Sequence, residues 1–196
     1  MAEGSVVAKS RTQSAAPVAH EVVAAVDLGS NSFRLQVGRV VEDQIYPLDS
    51  LREVVRLAAG LSADKRLDDA SQQRALQALK RFGERLRGFP ATSVRAVGTN
   101  SLRVAKNSRD FLIRAEHALG FPIEVVAGKE EARLIYLGVS HSLPPTSEKR
   151  MVVDIGGGST EFIIGAGYRP QKLESLYMGC VSRSEERRVG KECEDL

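Results

Sequence analysis

Residues Val26–Gly38 read VDLGSNSFRLQVG, and Val153–Gly165 read VDIGGGSTEFIIG. Aligned, the two windows share Val26 with Val153, Asp27 with Asp154, Gly29 with Gly156, Ser32 with Ser159 and Gly38 with Gly165. Chance at ordinary composition gives about one such identity. Each copy runs strand, acid, glycine-bearing turn, small hydroxyl, strand, which is the pattern of a β-hairpin. A repeat of this kind predicts two related subdomains that face each other.

Working outward, Val22–Val26 and Phe33–Val41 are the two strands of the first hairpin. Leu51–Leu61 adds strand and loop. Asp68–Arg87 carries Leu76, Leu79, Phe82 and Leu86 on one helical face and ends before Gly88. Val94–Val97 is a strand and Ser101–Lys106 a short helix. Ser108–Leu119 is a helix closed by Gly120. Ile123–Val126 is a strand. Lys129–Ser142 is a helix with Glu130 and Glu131 in its first turn, where the helix dipole favours negative charge. Met151–Ile155 and Thr160–Ala166 repeat the opening hairpin. The order predicts an α/β fold around a mixed sheet, without the strict alternation of a parallel one.

The composition narrows the function. Among 196 residues, 42% are hydrophobic and 27% charged, as in ordinary globular domains. A formal net charge of +3 with scattered Lys and Arg leaves no nucleic-acid footprint. No apolar run approaches the ~18–20 residues of a membrane span. Residues 1–20 lack the apolar middle of a signal peptide and are read as a disordered tail. Cys180 and Cys193 are the two cysteines, too few for a disulfide framework, and a reducing cytoplasm fits.

The repeated turns suit phosphate. A turn of small residues gathers backbone N–H groups into an anion nest. Gly156, Gly157 and Gly158 let an anion touch the backbone, and Ser30, Ser32, Ser159 and Thr160 add hydroxyl donors. Asp27 and Asp154 would repel a bare phosphate. They make sense around a hard cation such as Mg²⁺, which takes oxygen from one or two carboxylates plus phosphate. The run lacks the Lys-Ser/Thr ending of a P-loop and leads into a strand, unlike a dinucleotide fingerprint. A single such turn reads most simply as a tight hairpin; two copies with matched acids favour a clamp.

The blocks VAAVDLGSNSFRLQVGRV, VRAVGTNSLRVAKNSRDFL, GKEEARLIYLGV, VVDIGGGSTEFIIG and SLYMGCVS resemble the exopolyphosphatase and guanosine pentaphosphate phosphohydrolase family. That family lies within the actin/sugar-kinase/heat-shock-chaperone superfamily. The match covers about Val22 to Ser182. It implies a ribonuclease H-like, actin-like ATPase fold, with one mixed-sheet domain at residues 21–127 and the start of a second at 128–182. It implies cytoplasmic, Mg²⁺-dependent removal of a terminal phosphoryl group by water, from polyphosphate or guanosine pentaphosphate (pppGpp).

Carried over residue by residue, the resemblance makes Glu131 the general base. Asp154, Glu161 and Asp27 would hold the cation. Gly29, Ser30, Asn31, Ser32, Arg103, Gly156, Gly157, Gly158, Ser159 and Thr160 would bind phosphate. From the residues alone, Glu130 and Glu131 are both ordinary first-turn glutamates. The competing expectations are an ATP-dependent kinase and an actin-like filament or scaffold ATPase of the same superfamily. No nucleic-acid or integral-membrane contact is expected, and a homodimer only in a full-length protein.

Family members continue well past GCVS. Here the second domain is expected to be truncated, with an exposed sheet edge and lower stability and activity than a full-length relative. Residues 183–196 are read as a non-native tail, because RSEERRVGKEC resembles the translation of a sequencing-library adapter.

Overall fold

The computed structural model describes residues 21–42 and 44–181. The tails expected at 1–20 and 183–196 lie outside the described residues. Two sheets carry the architecture. The first has strand order β3 (Gln44–Val54), β2 (Ser32–Val41), β1 (Val22–Leu28), β4 (Val94–Gly98), β5 (Ile123–Val125), and the second β6 (Lys149–Ile155), β7 (Thr160–Ala166), β8 (Arg169–Leu176).

The first sheet starts from the quoted hairpin. β1 (Val22–Leu28) and β2 (Ser32–Val41) pair antiparallel, with Asp27 opposite Arg34 and Val26 opposite Leu35. Their two-residue alternation buries Ala24, Val26, Leu28, Phe33, Leu35 and Val37 on one face. Asp27, Arg34 and Gln36 point to the other. β3 (Gln44–Val54) continues the meander along β2. β4 (Val94–Gly98) and β5 (Ile123–Val125) then run parallel to β1, so the sheet is mixed, as expected.

The buried face is covered by α1 (Asp69–Arg85) and α3 (Ser108–Leu119). Asp68 caps α1 by accepting the Ser71 N–H at 2.6 Å. Ala75, Ala78, Leu79 and Phe82 follow at helical spacing and are all buried. Gly120 ends α3 in the left-handed conformation, φ 81°. Between β4 and α3 lies the one-and-a-half-turn α2 (Asn100–Val104).

From β5 the chain passes through α4 (Gly128–Ser142) into the second sheet: β6 (Lys149–Ile155), β7 (Thr160–Ala166) and β8 (Arg169–Leu176). Ala132 and Tyr136 of α4 pack on Val152 and Ile163 in a small second core. β6 corresponds to β1 in the repeat, but its other edge carries no strand among the described residues. β4 flanks β1, whereas among the described residues only β7 pairs with β6. Met151, Val153 and Ile155 stand exposed on its outer face, at 60%, 45% and 65%.

Two strands extend the repeat beyond what the sequence showed. β3 begins at Gln44, earlier than the strand-and-loop expected over Leu51–Leu61, and β8 was not expected. Both are exposed edge strands with polar side chains on both faces, so they lack the alternation that marks a half-buried strand. The repeat is therefore a three-stranded meander. Both copies shift register at the same place, between Val37 and Gly38 and between Ile164 and Gly165. A Cβ on Gly38 would stand 2.5 Å from Ile45 Cγ2, and one on Gly165 2.5 Å from Tyr136 Oη. The shared glycine thus marks a bulge under close contact.

Candidate active site at the facing turns

The two hairpin turns meet. Gly157 lies against Asn31 and Ser30, where a Cβ would be 3.2 Å and 3.4 Å from their Cβ atoms. Gly158 lies against Asn100 Nδ2, and a Cβ there would be 2.9 Å from Ser30 Oγ. A side chain at either position would have to push Asn31, Ser30 or Asn100 aside. Valine in place of Gly158 is expected to displace Asn100 or Ser30 and to lower the midpoint of urea unfolding.

Each turn is held by the chain that follows its third strand. The Asn31 carbonyl accepts from Val55 N at 3.0 Å and Arg56 N at 2.8 Å, and the Ser30 carbonyl accepts from Ala58 N at 2.8 Å. In the second copy the Gly156 carbonyl accepts from Cys180 N at 3.0 Å and the Gly157 carbonyl from Val181 N at 3.1 Å. Thr160 Oγ1 donates to the Met178 carbonyl. The SLYMGCVS block thus has a structural role that sequence reasoning left blank. Thr160 commits its hydroxyl hydrogen to that role, while Ser30 and Ser159 sit buried at the turns.

α2 ties the first sheet to both. Ser101 Oγ donates to Ser30 Oγ at 2.8 Å. Asn100 is 8% exposed, and its Oδ1 has no hydrogen-bond partner among the described residues. Three residues on, Arg103 Nη1 donates to the Val126 carbonyl at 2.8 Å and to Glu131 Oε2 at 2.9 Å. Both side chains of this pair are largely enclosed, at 16% and 15% exposure.

The first turn of α4 separates its two glutamates. Glu130 pairs with Arg133 at 2.6 Å on the solvent side, 41% exposed, and that hydrogen bond holds its carboxyl below the usual range. Glu131 turns inward. Burial pushes its carboxyl up, the Arg103 hydrogen bond opposes this, and the nearby Glu161 and Asp27 carboxylates push it up again. The four groups therefore share one electrostatic neighbourhood.

The acids of the repeat differ in their partners. Asp27 faces Arg34 across its ladder, whereas Asp154 faces Glu161. Asp27 keeps solvent contact, yet partial burial raises its carboxyl pKa; Arg34 lowers it and Asp154 raises it further. Asp27 and Asp154 line one cavity of about 930 Å³, together with Arg34, Arg95 and the Leu134–Val139 face of α4. Glu161 is buried and accepts from Ser175 Oγ at 2.8 Å. Among the described residues no three His, Cys, Asp or Glu side chains form a ready metal cluster. Ser175, Asn100 and Ser101 are site residues that the sequence did not reveal. Ser175 lies on an unexpected strand, and the other two precede Arg103 with no periodic signal.

The sequence profile of the Ppx/GppA phosphatase family matches residues 36–190. The Aquifex aeolicus PPX-GPPA enzyme is 33% identical, with a TM-score of 0.73 over 85% of this chain and 56% of that one. An exopolyphosphatase from Cytophaga hutchinsonii is 30% identical, with a TM-score of 0.78 over 85% and 53%. The chain thus spans a little over half the length of these solved relatives. The PilM–PilN type IV pilus biogenesis complex, 13% identical with a TM-score of 0.54 over 83% and 63%, shares the actin-like fold alone. On the profile and the solved relatives together, this chain belongs to the Ppx/GppA phosphatase family.

Proposed function

We propose that the chain carries the base and the phosphate clamps of a phosphoanhydride hydrolase. It would remove the terminal phosphoryl group of inorganic polyphosphate or of pppGpp by attack of water. The observation that carries this reading is Glu131, enclosed, held at 2.9 Å by Arg103 and within electrostatic reach of Glu161 and Asp27. Phosphoryl transfer needs positioning and charge neutralisation more than covalent chemistry. The Gly156 and Gly157 carbonyls are taken by Cys180 and Val181 and the Gly156 N–H by the Ser159 carbonyl at 2.9 Å, so an anion would meet the later N–H groups of that turn, Gly157 to Ser159. Arg103 suits a bidentate grip on phosphoryl oxygens. Glu131, released from Arg103 by that grip, would take the proton of the attacking water.

The donor set fits a hard divalent cation. Asp154 and Glu161 stand directly opposite in the ladder, and Asp27 feels Asp154. Like charges so opposed destabilise a sheet unless a cation lies near. Two carboxylates with phosphate and water oxygens are the usual surroundings of Mg²⁺. Bound there, the ion would neutralise charge on the phosphoryl oxygens.

The test is phosphate release from polyphosphate and from pppGpp by the 196-residue chain, with Mg²⁺ and with EDTA. The expected result is Mg²⁺-dependent release that falls at least a hundredfold in EDTA. An equal rate in EDTA removes the cation from the reading, and no release from either substrate overturns the hydrolase assignment.

A further inference from the structure

We propose that Asn100 is a substrate-side residue of this site, bridging the phosphoryl group and the attacking water with the two ends of its amide. This rests on the hydrolase reading above. Asn100 is more than nine-tenths buried, and its Oδ1 finds no donor among the described residues. Buried polar atoms are nearly always paired, and leaving one unpaired is costly. The orphan sits at the one point where the two turns and α2 converge. Its Nδ2 lies against Gly158 of the second turn. Its neighbour Ser101 holds Ser30 of the first at 2.8 Å. Arg103, one helical turn along α2, holds Glu131 at 2.9 Å.

The chemistry of the group explains why an amide stands there. A phosphoryl oxygen accepts hydrogen bonds, whereas a nucleophilic water must donate one to be aimed. A carboxamide offers a donor and an acceptor in one rigid plane. A hydroxyl lacks the span, and a carboxylate lacks the donor and repels phosphate. Water-orienting amides are a recurring part of phosphoryl transfer. Separation of the turns by an entering phosphoryl group would expose both ends of the Asn100 amide at once.

Three variants of the 196-residue chain test this, by Mg²⁺-dependent phosphate release, by calorimetric binding of tripolyphosphate and by urea unfolding. Asn100→Ala is expected to lower kcat about 10- to 100-fold, with KM within about threefold. Its urea midpoint should not fall, because an unpaired buried group has been removed. Asn100→Asp should bind tripolyphosphate at least tenfold more weakly. Glu131→Gln is the control. Wild-type turnover in Asn100→Ala beside an inactive Glu131→Gln overturns this inference and spares the hydrolase reading. So does a loss in Asn100→Ala that is matched by a lower urea midpoint, since a spacer would behave that way. An active Glu131→Gln removes the hydrolase reading and this inference with it.

Discussion

Glutamine in place of Glu131 is expected to lower kcat for phosphate release by about 10²–10⁴-fold, the usual worth of a general base, with KM nearly unchanged. The substitution keeps size and hydrogen-bonding reach but removes the proton acceptor. The neighbouring Glu130 supplies the contrast. Its carboxylate is paired with Arg133 on the solvent side, and such surface pairs are worth little. Glu130→Gln should therefore stay within about twofold of the parent rate. Steady-state kinetics on the two variants decide the matter. Loss of activity in Glu130→Gln, with Glu131→Gln active, would show that the inward-facing residue had been chosen wrongly.

Alanine in place of Arg103 is expected to raise KM at least tenfold and to move the acid limb of the kcat/KM–pH profile to higher pH. Two roles meet in that guanidinium: a phosphate grip, and the hydrogen bond that opposes the upward push on the Glu131 carboxyl. Without it, burial and the Glu161 and Asp27 carboxylates act unopposed, so more alkaline solution is needed to ionise the base. The same logic fixes the sign of the stability change. An enclosed carboxylate left without its hydrogen-bond partner costs about 1–3 kcal/mol at neutral pH, at the low end for a group that keeps some solvent contact. A raised folded-state pKa means the folded protein holds the proton more tightly. Stability is then greatest below the ordinary glutamate range and is lost as pH rises through the folded value. The Arg103→Ala deficit in urea should thus shrink on acidification. A deficit that grows instead would show that Arg103 and Glu131 are not coupled as described.

Much of this was legible in the sequence because repetition and burial left marks there. The matched acids, glycines and hydroxyls announced two facing hairpins, and the leucine and phenylalanine spacing announced α1. What was not legible has a common cause. β3 and β8 lie at sheet edges, where neither face is dry, so no alternation betrays them. Ser175 reaches Glu161 only because β8 exists, and Asn100 matters only because a second turn folds onto it. The repeated Gly38 and Gly165 were visible as an identity, but their reason, a register shift under close contact, shows only once β3 and β8 are in place. Glu130 and Glu131 were equivalent until the rotation of α4 sent one to Arg133 and the other to Arg103.

The flank of β6 that no described strand covers bears on how this 196-residue chain comes apart. Among the described residues no strand pairs with that flank, beside the exposed Met151, Val153 and Ile155, and an unsatisfied row of N–H and C=O groups there would be a template on which partly melted copies zip together. On warming, that side reaction should outrun refolding, so loss of structure becomes one-way and its apparent midpoint drifts with heating rate and protein concentration. Endurance in hot solution is then governed by the height of an escape barrier, not by an equilibrium constant.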